Sequence, residues 1–292
     1  MEECGYQSRR RDMRIARTLI DGQPRIVADD GSGPRLAPAD HPDDALLALR
    51  STEVSGWPAV DGSSLTFLAP VAGAGKIIAV GLNYVEHIDE TGFTPPAVPL
   101  TFAKYATSLN GPAGDIRVPG HLTQQVDFEV ELALVIGRRC GGSAAVTLDD
   151  VAGYTVANDV SARDVQFSDT QWTRGKSFDT FTPLGPWLVS ADQFDVSVGH
   201  HIWTTVISGE SEEALQDDTT ASLIFDVPRL LSFIGDGVTL EPGDIVLTGT
   251  PSGAGGFRTP ARYLADGDIV VCGIDGIGEL RNRVVVTTRN PA

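Results

Sequence analysis

The stretch Val126-Asp127-Phe128-Glu129-Val130-Glu131-Leu132-Ala133-Leu134 alternates apolar and other residues with a period of two, and its polar members are all acidic. That period suits a strand and not a helix, because successive strand side chains point to opposite faces. Val126, Phe128, Val130, Leu132 and Leu134 then share one face, and Asp127, Glu129 and Glu131 the other. Same-face neighbours stand about 7 Å apart along a strand, so three carboxylates in a row need water, raised pKa values or a cation between them. A solvated strand face explains an isolated Glu-x-Glu equally well. The pattern acquires chemical meaning only from what the rest of the chain brings beside it.

Most of the chain reads as sheet. From Lys76 onward, Lys76–Leu82, Val126–Gly137, Tyr154–Val160, Pro186–Val189, His201–Ser208, Asp244–Thr250, Asp268–Ile274 and Glu279–Thr288 are β-branched or alternating runs. Each is bounded by Gly, Pro, Asp or Asn, as strands are. One late helix begins after Asp226, with Pro228 in its first turn, Val227, Leu230, Leu231 and Ile234 on one face, and Gly235 or Gly237 to stop it. It is a packing element. Residues 13–72 hold short apolar pieces, a helix at Asp43–Arg50 and many turn residues, and are expected to form a small N-terminal β-domain. Residues 73–292 form the second, larger domain and are mainly sheet, so the expected class is mainly β (α+β). There is no repeat and no low-complexity tract.

Charge excludes some partners. Lys and Arg number 22 against 39 Asp and Glu, a net −17 that repels phosphate backbones and anionic membranes. No nucleic-acid or membrane partner is expected, and no apolar run, such as Leu132–Ile136, approaches the roughly 18 residues a spanning helix needs. Cys4, Cys140 and Cys272 are odd in number and lack Cys-x-x-Cys spacing, which argues against a disulfide framework or a zinc ribbon and for the reducing cytoplasm. Residues 1–12 carry Arg9, Arg10 and Arg11 without a following apolar run, so they read as a disordered extension and not as a secretory signal.

Three further segments carry candidate chemistry. Asp159 ends the apolar run Tyr154–Ala157 where a strand leaves its sheet; beside Glu129 and Glu131 it would complete three oxygen ligands. Such a set suits Mg2+, Mn2+ or Ca2+ better than zinc, although a lone strand-end Asp is also an ordinary turn residue. His87 and Glu90 are three apart after Gly81-Leu82-Asn83-Tyr84, a spacing at which a carboxylate on a helical turn orients an imidazole as a general base. The same pair could be an incidental surface ion pair. Lys176, between Gly175 and Ser177-Phe178, could polarise a carbonyl or hold an oxyanion, or be a plain surface lysine. The run Asp244–Gly253 lacks the Gly-Lys-Ser/Thr of a phosphate loop, so it is either backbone close to a ligand or a plain turn; Gly73-Ala74-Gly75-Lys76 precedes a strand and fails likewise. His200 and His201 point to opposite sides of a strand and make no site.

Taken in order, six motifs resemble the fumarylacetoacetate hydrolase family. They are Gly81-Leu82-Asn83-Tyr84 with His87, Phe128-Glu129-Val130-Glu131-Leu132, Asn158-Asp159-Val160-Ser161-Ala162-Arg163-Asp164, Lys176-Ser177-Phe178, Leu240-Glu241-Pro242-Gly243-Asp244 and Leu247-Thr248-Gly249-Thr250-Pro251. The resemblance spans roughly residues 73–288. It implies a mixed β-sandwich roll, a homodimer, and Mg2+ or Mn2+ on Glu129, Glu131 and Asp159. It also implies His87 as the water-activating base, Glu90 as its acidic partner with Asp89 a neighbouring rival, and Lys176 as the stabiliser of the reacting oxygen. Arg163, Gln166 and Thr250 fall near the substrate's keto acid. The implied reaction is hydrolysis of a 2,4-dioxo acid (an acylpyruvate) to pyruvate and a carboxylic acid. The family's alternatives are isomerisation of a 2-hydroxydienedioate and decarboxylation of oxaloacetate; a non-catalytic, metal-stabilised binding protein is the alternative outside enzymology. Between Thr91 and Pro99 the chain is rich in Thr and Pro, where a charged lid helix is commoner in the family.

Overall fold

The computed structural model describes residues 13–51 and 54–288; the extension at 1–12, with Cys4, lies outside them. The fold is mainly β. Its larger sheet runs, in spatial order, Arg35–Leu36, Gln23–Asp29, Arg14–Ile20, Thr182–Ser190, Val151–Asn158, Val130–Ile136, Ile245–Leu247, Ile77–Gly81 and Leu100–Lys104, with two short strands beside this path. A five-stranded sheet runs Ser211–Thr219, His201–Ser208, Ile269–Ile274, Gly278–Thr287 and Ile116–Pro119. Among the described residues no helix is long and apolar enough to cross a membrane, and Cys140 and Cys272 are free.

Val130–Ile136 is the strand on which the site depends, and every residue of it is buried. Val130, Leu132, Leu134 and Ile136 pack with Ile202, Val270 and Leu280 in the core between the sheets. On the opposite face Ala133 and Val135 enter a second core with Ile15, Ile26, Leu188 and Ile245. The acidic face of the sequence pattern is therefore acidic only at its start and becomes apolar after Glu131. Each large aliphatic side chain so buried is worth roughly 1.5–3 kcal/mol, which holds the strand in place against the repulsion of the carboxylates at its end.

The acidic run is also not one strand. Val126–Asp127 pairs separately with Ser161–Ala162, and Phe128 and Glu129 form a break before Val130. Side chains take the amides that a continuous ladder would use: Phe128 N donates to Asp127 Oδ1 (2.9 Å) and Glu129 N to Asn158 Oδ1 (3.0 Å). The break turns Asp127 away from the other two carboxylates, which corrects the expected row of three.

Residues 13–72 do not hang off this body. Arg14–Ile20 pairs antiparallel with Thr182–Ser190 in the register Arg14↔Val189 and Ile15↔Leu188, so the N-terminal strands continue the large sheet. The late helix spans Val227–Gly235, capped by Asp226 through the Arg229 amide (2.9 Å), and buries Val227, Leu230, Leu231 and Ile234 as its periodicity requires.

Candidate active site

Glu129, Glu131 and Asp159 meet where two neighbouring strands end. Val130 faces Asn158 across the ladder, and Asp159 N donates to the Glu129 carbonyl (2.8 Å). An oxygen from each of the three carboxylates lies within 4.8 Å of the others, and all three residues are buried. Three buried cations surround them. Lys176 Nζ reaches Glu129 Oε2 at 2.6 Å and Asp159 Oδ2 at 2.8 Å. Lys104 Nζ donates to Asp159 Oδ1 (2.5 Å) and the Phe181 carbonyl (3.0 Å). Arg163 bridges Asp127 and Glu129, its Nη2 lying 2.7 Å from each.

The environment splits the two glutamates. Burial alone would raise the Glu129 pKa, but the charges of Lys176, Arg163 and His87 outweigh it and bring it down to about 2. Glu131 goes well above the ordinary carboxylate range, first from burial and then from the negative charges of Asp159 and Glu129. Its hydrogen bond from Gly249 N (2.6 Å) does not offset them. The donor set fits a hard divalent cation, being all oxygen, with one buried carboxyl lacking a cationic partner of its own.

A second constellation sits beside the first. Val85–Thr91 forms a short helix stopped by Gly92 in the left-handed region (φ 70°). His87 Nδ1 lies 2.7 Å from Glu90 Oε1, with the imidazole ring buried. The adjacent Asp89 is exposed, so Glu90 is the partner. Glu90 Oε2 in turn accepts from Gly253 N (2.8 Å). Asn83 anchors the approach to this helix, donating to the Thr248 and Phe225 carbonyls and accepting from Phe225 N (2.7, 3.0 and 2.8 Å).

His87, Glu129, Glu131, Arg163, Gln166, Lys176 and Thr250 line one pocket. Asp159 and Glu90 stand behind it, touching Lys176 and His87. Thr250 Oγ1 accepts from Gln216 Nε2 (2.8 Å), which leaves its hydroxyl proton for a ligand. Gln166 Oε1 accepts from Arg163 Nη1 (3.0 Å), which leaves its amide N–H groups. All nine expected site residues thus belong to one neighbourhood.

One participant, Lys104, escaped the sequence reading, and two that it named, Asp127 and the Thr248–Gly253 turn, have roles it did not assign. Lys104 comes from the edge strand Leu100–Lys104, and nothing in its local sequence marks it as buried. Asp127 accepts from Gly255 N (2.8 Å) and Gly256 N (2.9 Å) while pairing with Arg163, so it fastens a loop and orients the guanidinium. The Thr248–Gly253 turn holds Glu131 and Glu90 through the amides of Gly249 and Gly253. Those glycines were the available signal. Gly253 has φ +101°, and a Cβ there would lie 1.9 Å from the Leu215 carbonyl oxygen.

The sequence and the fold have counterparts among known proteins. Residues 76–285 match the family model described as fumarylacetoacetate (FAA) hydrolase C-terminal. The chain is 42% identical over 243 residues to the mitochondrial oxaloacetate tautomerase FAHD2A of Bos taurus, covering 82% of this chain and 76% of the relative. It is 40% identical over 269 residues to a 2,4-didehydro-3-deoxy-L-rhamnonate hydrolase of a Sphingomonas species, covering 91% and 90%. Its fold is similar to the solved structure of a fumarylacetoacetate hydrolase from Exiguobacterium antarcticum, with a TM-score of 0.80, 35% identity, and coverage of 94% of this chain and all of that one. With the family model covering well over half of the residues, and relatives at this identity along most of their own length, the chain belongs to the fumarylacetoacetate hydrolase family.

Proposed function

We propose that this protein is a divalent-metal-dependent hydrolase that cleaves the C3–C4 bond of an acylpyruvate to give pyruvate and a carboxylic acid. The observation that carries the reading is the His87–Glu90 pair, poised over the same pocket as the acidic cluster. A simple keto–enol exchange needs a proton shuttle, whereas hydrolysis needs a base that activates water, and an imidazole oriented by a carboxylate is suited to that task.

Glu129, Glu131 and Asp159 would hold Mg2+ or Mn2+, which supplies Lewis acidity toward the pyruvate end of the substrate. Glu90 takes the Nδ1 proton of His87 into a hydrogen bond, which leaves the Nε2 lone pair as the base. His87 removes a proton from water as the water oxygen bonds to C4. Lys176 has one N–H left after Glu129 and Asp159 and turns it to the oxyanion at C4. Collapse breaks C3–C4, the bonding pair moves to C3, and His87 returns its proton there. Thr250, Gln166 and Arg163 orient the keto acid. The reaction consumes one water and leaves His87 as it began.

The name of the bovine relative favours a second reading, tautomerisation of oxaloacetate. A panel of acylpyruvates beside oxaloacetate, assayed with Mn2+ and with a chelator, separates the two. We expect chelator-sensitive release of pyruvate together with the matching free acid. Pyruvate from oxaloacetate alone would make the enzyme a decarboxylase, and enol–keto exchange without cleavage would make it a tautomerase. We further propose a cytoplasmic homodimer, for which a solution mass of two chains is the expected result and a monomer mass the contrary one.

A further inference from the structure

The pyruvate end is common to all acylpyruvates, and the acyl group is what distinguishes one from another. The pocket's basic side chains are Arg163, Lys176 and His87, and each already faces a carboxylate of the site. Arg163 serves Asp127 and Glu129, Lys176 serves Glu129 and Asp159, and His87 Nδ1 faces Glu90. Rings cover the two permanent cations as well. Phe257 lies 4.8 Å from Arg163 Cζ, and Phe102 lies 5.2 Å from Lys176 Nζ.

The aromatic cover extends into a wall. Trp172 meets Phe102 edge-on at 5.4 Å, and Phe167 meets Phe257 edge-on at 6.4 Å. Gly81 admits the indole, since a Cβ at that position would lie 2.5 Å from Trp172 Cζ3. Phe93 stands on the same lining. The space these side chains leave is small, about 20 Å3, little more than the roughly 10–15 Å3 that one water needs.

The charges of the site are balanced without a second anion. Lys104, Lys176 and Arg163 bring three positive charges against the five carboxylates Glu90, Asp127, Glu129, Glu131 and Asp159. A divalent ion would change that sum from −2 to 0, which leaves no positive charge in excess once the carboxylate of a pyruvate end is bound. A further carboxylate on the acyl group would lose its water against aromatic rings and gain no partner.

We infer that the acyl end of this pocket selects a compact, uncharged group and rejects one ending in a carboxylate, with Phe93, Phe102 and Trp172 as the wall that sets the preference. This deepens the acylpyruvate reading and rests on it for the placement of the pyruvate end. The test therefore uses 2-oxo acids that hydrolysis at C4 cannot cleave. 2-Oxopentanoate and 2-oxoglutarate share a five-carbon chain and differ at its end, methyl against carboxylate. Calorimetry on the full chain with Mn2+ at fixed ionic strength should show 2-oxopentanoate binding at least about tenfold more tightly. In Phe93→Lys, a change at a position 42% exposed, 2-oxoglutarate should gain about tenfold.

Equal or tighter binding of 2-oxoglutarate by the unaltered protein overturns the inference. So does a folded Phe93→Lys protein that gains nothing for 2-oxoglutarate, and so does failure of both acids to bind at millimolar concentration. Selective binding of 2-oxopentanoate by a protein inert toward every acylpyruvate would sink the hydrolase and leave the selectivity standing.

Discussion

Replacing His87 with alanine should lower kcat for acylpyruvate hydrolysis by about 10²–10⁴-fold, the usual worth of a positioned general base, while metal-dependent thermal stabilisation stays as it was. The two halves separate because His87 lies outside the carboxylate cluster and is held by Glu90. Glu90→Gln keeps an acceptor at Nδ1 and removes the charge, so its kcat should fall between the parent's and that of His87→Ala. Pyruvate release gives the rate, and melting curves with and without Mn2+ give the binding. Full hydrolysis by His87→Ala would assign the base elsewhere. Loss of the Mn2+ response would make His87 part of the metal site and remove the division of labour proposed above.

Glu131→Gln should produce opposite shifts in the two metal states. Without metal, Glu131 is a buried carboxyl whose pKa burial and neighbouring anions push well above the ordinary range. A carboxyl raised in the folded state costs stability once pH exceeds its unfolded value of about 4.3. At neutral pH the amide removes that cost and can still accept from Gly249 N, so the metal-free variant should melt higher than the metal-free parent. With metal the order reverses. The parent gains about 2.7 kcal/mol at a free-ion concentration one hundred times Kd, and the variant, short of one anionic ligand, gains little. Hydrolysis should disappear with that increment. A Glu131→Gln protein whose melting temperature rises with Mn2+ as much as the parent's would take Glu131 out of the site.

How much of this was legible in the residues depended on where each contact originates. His201–Ser208 and Ile269–Ile274 show β-branched runs and lie within a residue of the expected bounds. Ser211–Thr219 has the sequence SEEALQDDT, which carries no strand signal. It is an edge strand, and charge is how such strands avoid pairing with other chains. Its partner decides its conformation. The carboxylate triad was legible because strand alternation puts Glu129 and Glu131 on one face and Asp159 ends the next apolar run. The lysine that binds Asp159 from behind was not, since LTFAK has no distinctive spacing and burial is a tertiary property. The turn's amides leave even less trace. A backbone donor is chemically the same in every residue, and only the glycines that permit the turn betray it.

The strand register between Arg14–Ile20 and Thr182–Ser190 bears on where this protein could be cut. A fragment beginning near residue 73 would contain every residue of the proposed site and the whole family match, residues 76–285. It would nevertheless strip Ile15 and Ile26 from the core that Ala133, Leu188 and Leu247 share. It would also leave the Thr182–Ser190 strand, most of it buried in the intact chain, with an open edge. Unpaired, apolar edges of that kind recruit other edges. Proteolytic trimming or gene truncation at the apparent boundary would yield an aggregation-prone remnant, so the N-terminal strands serve as the chain's own protection against self-association.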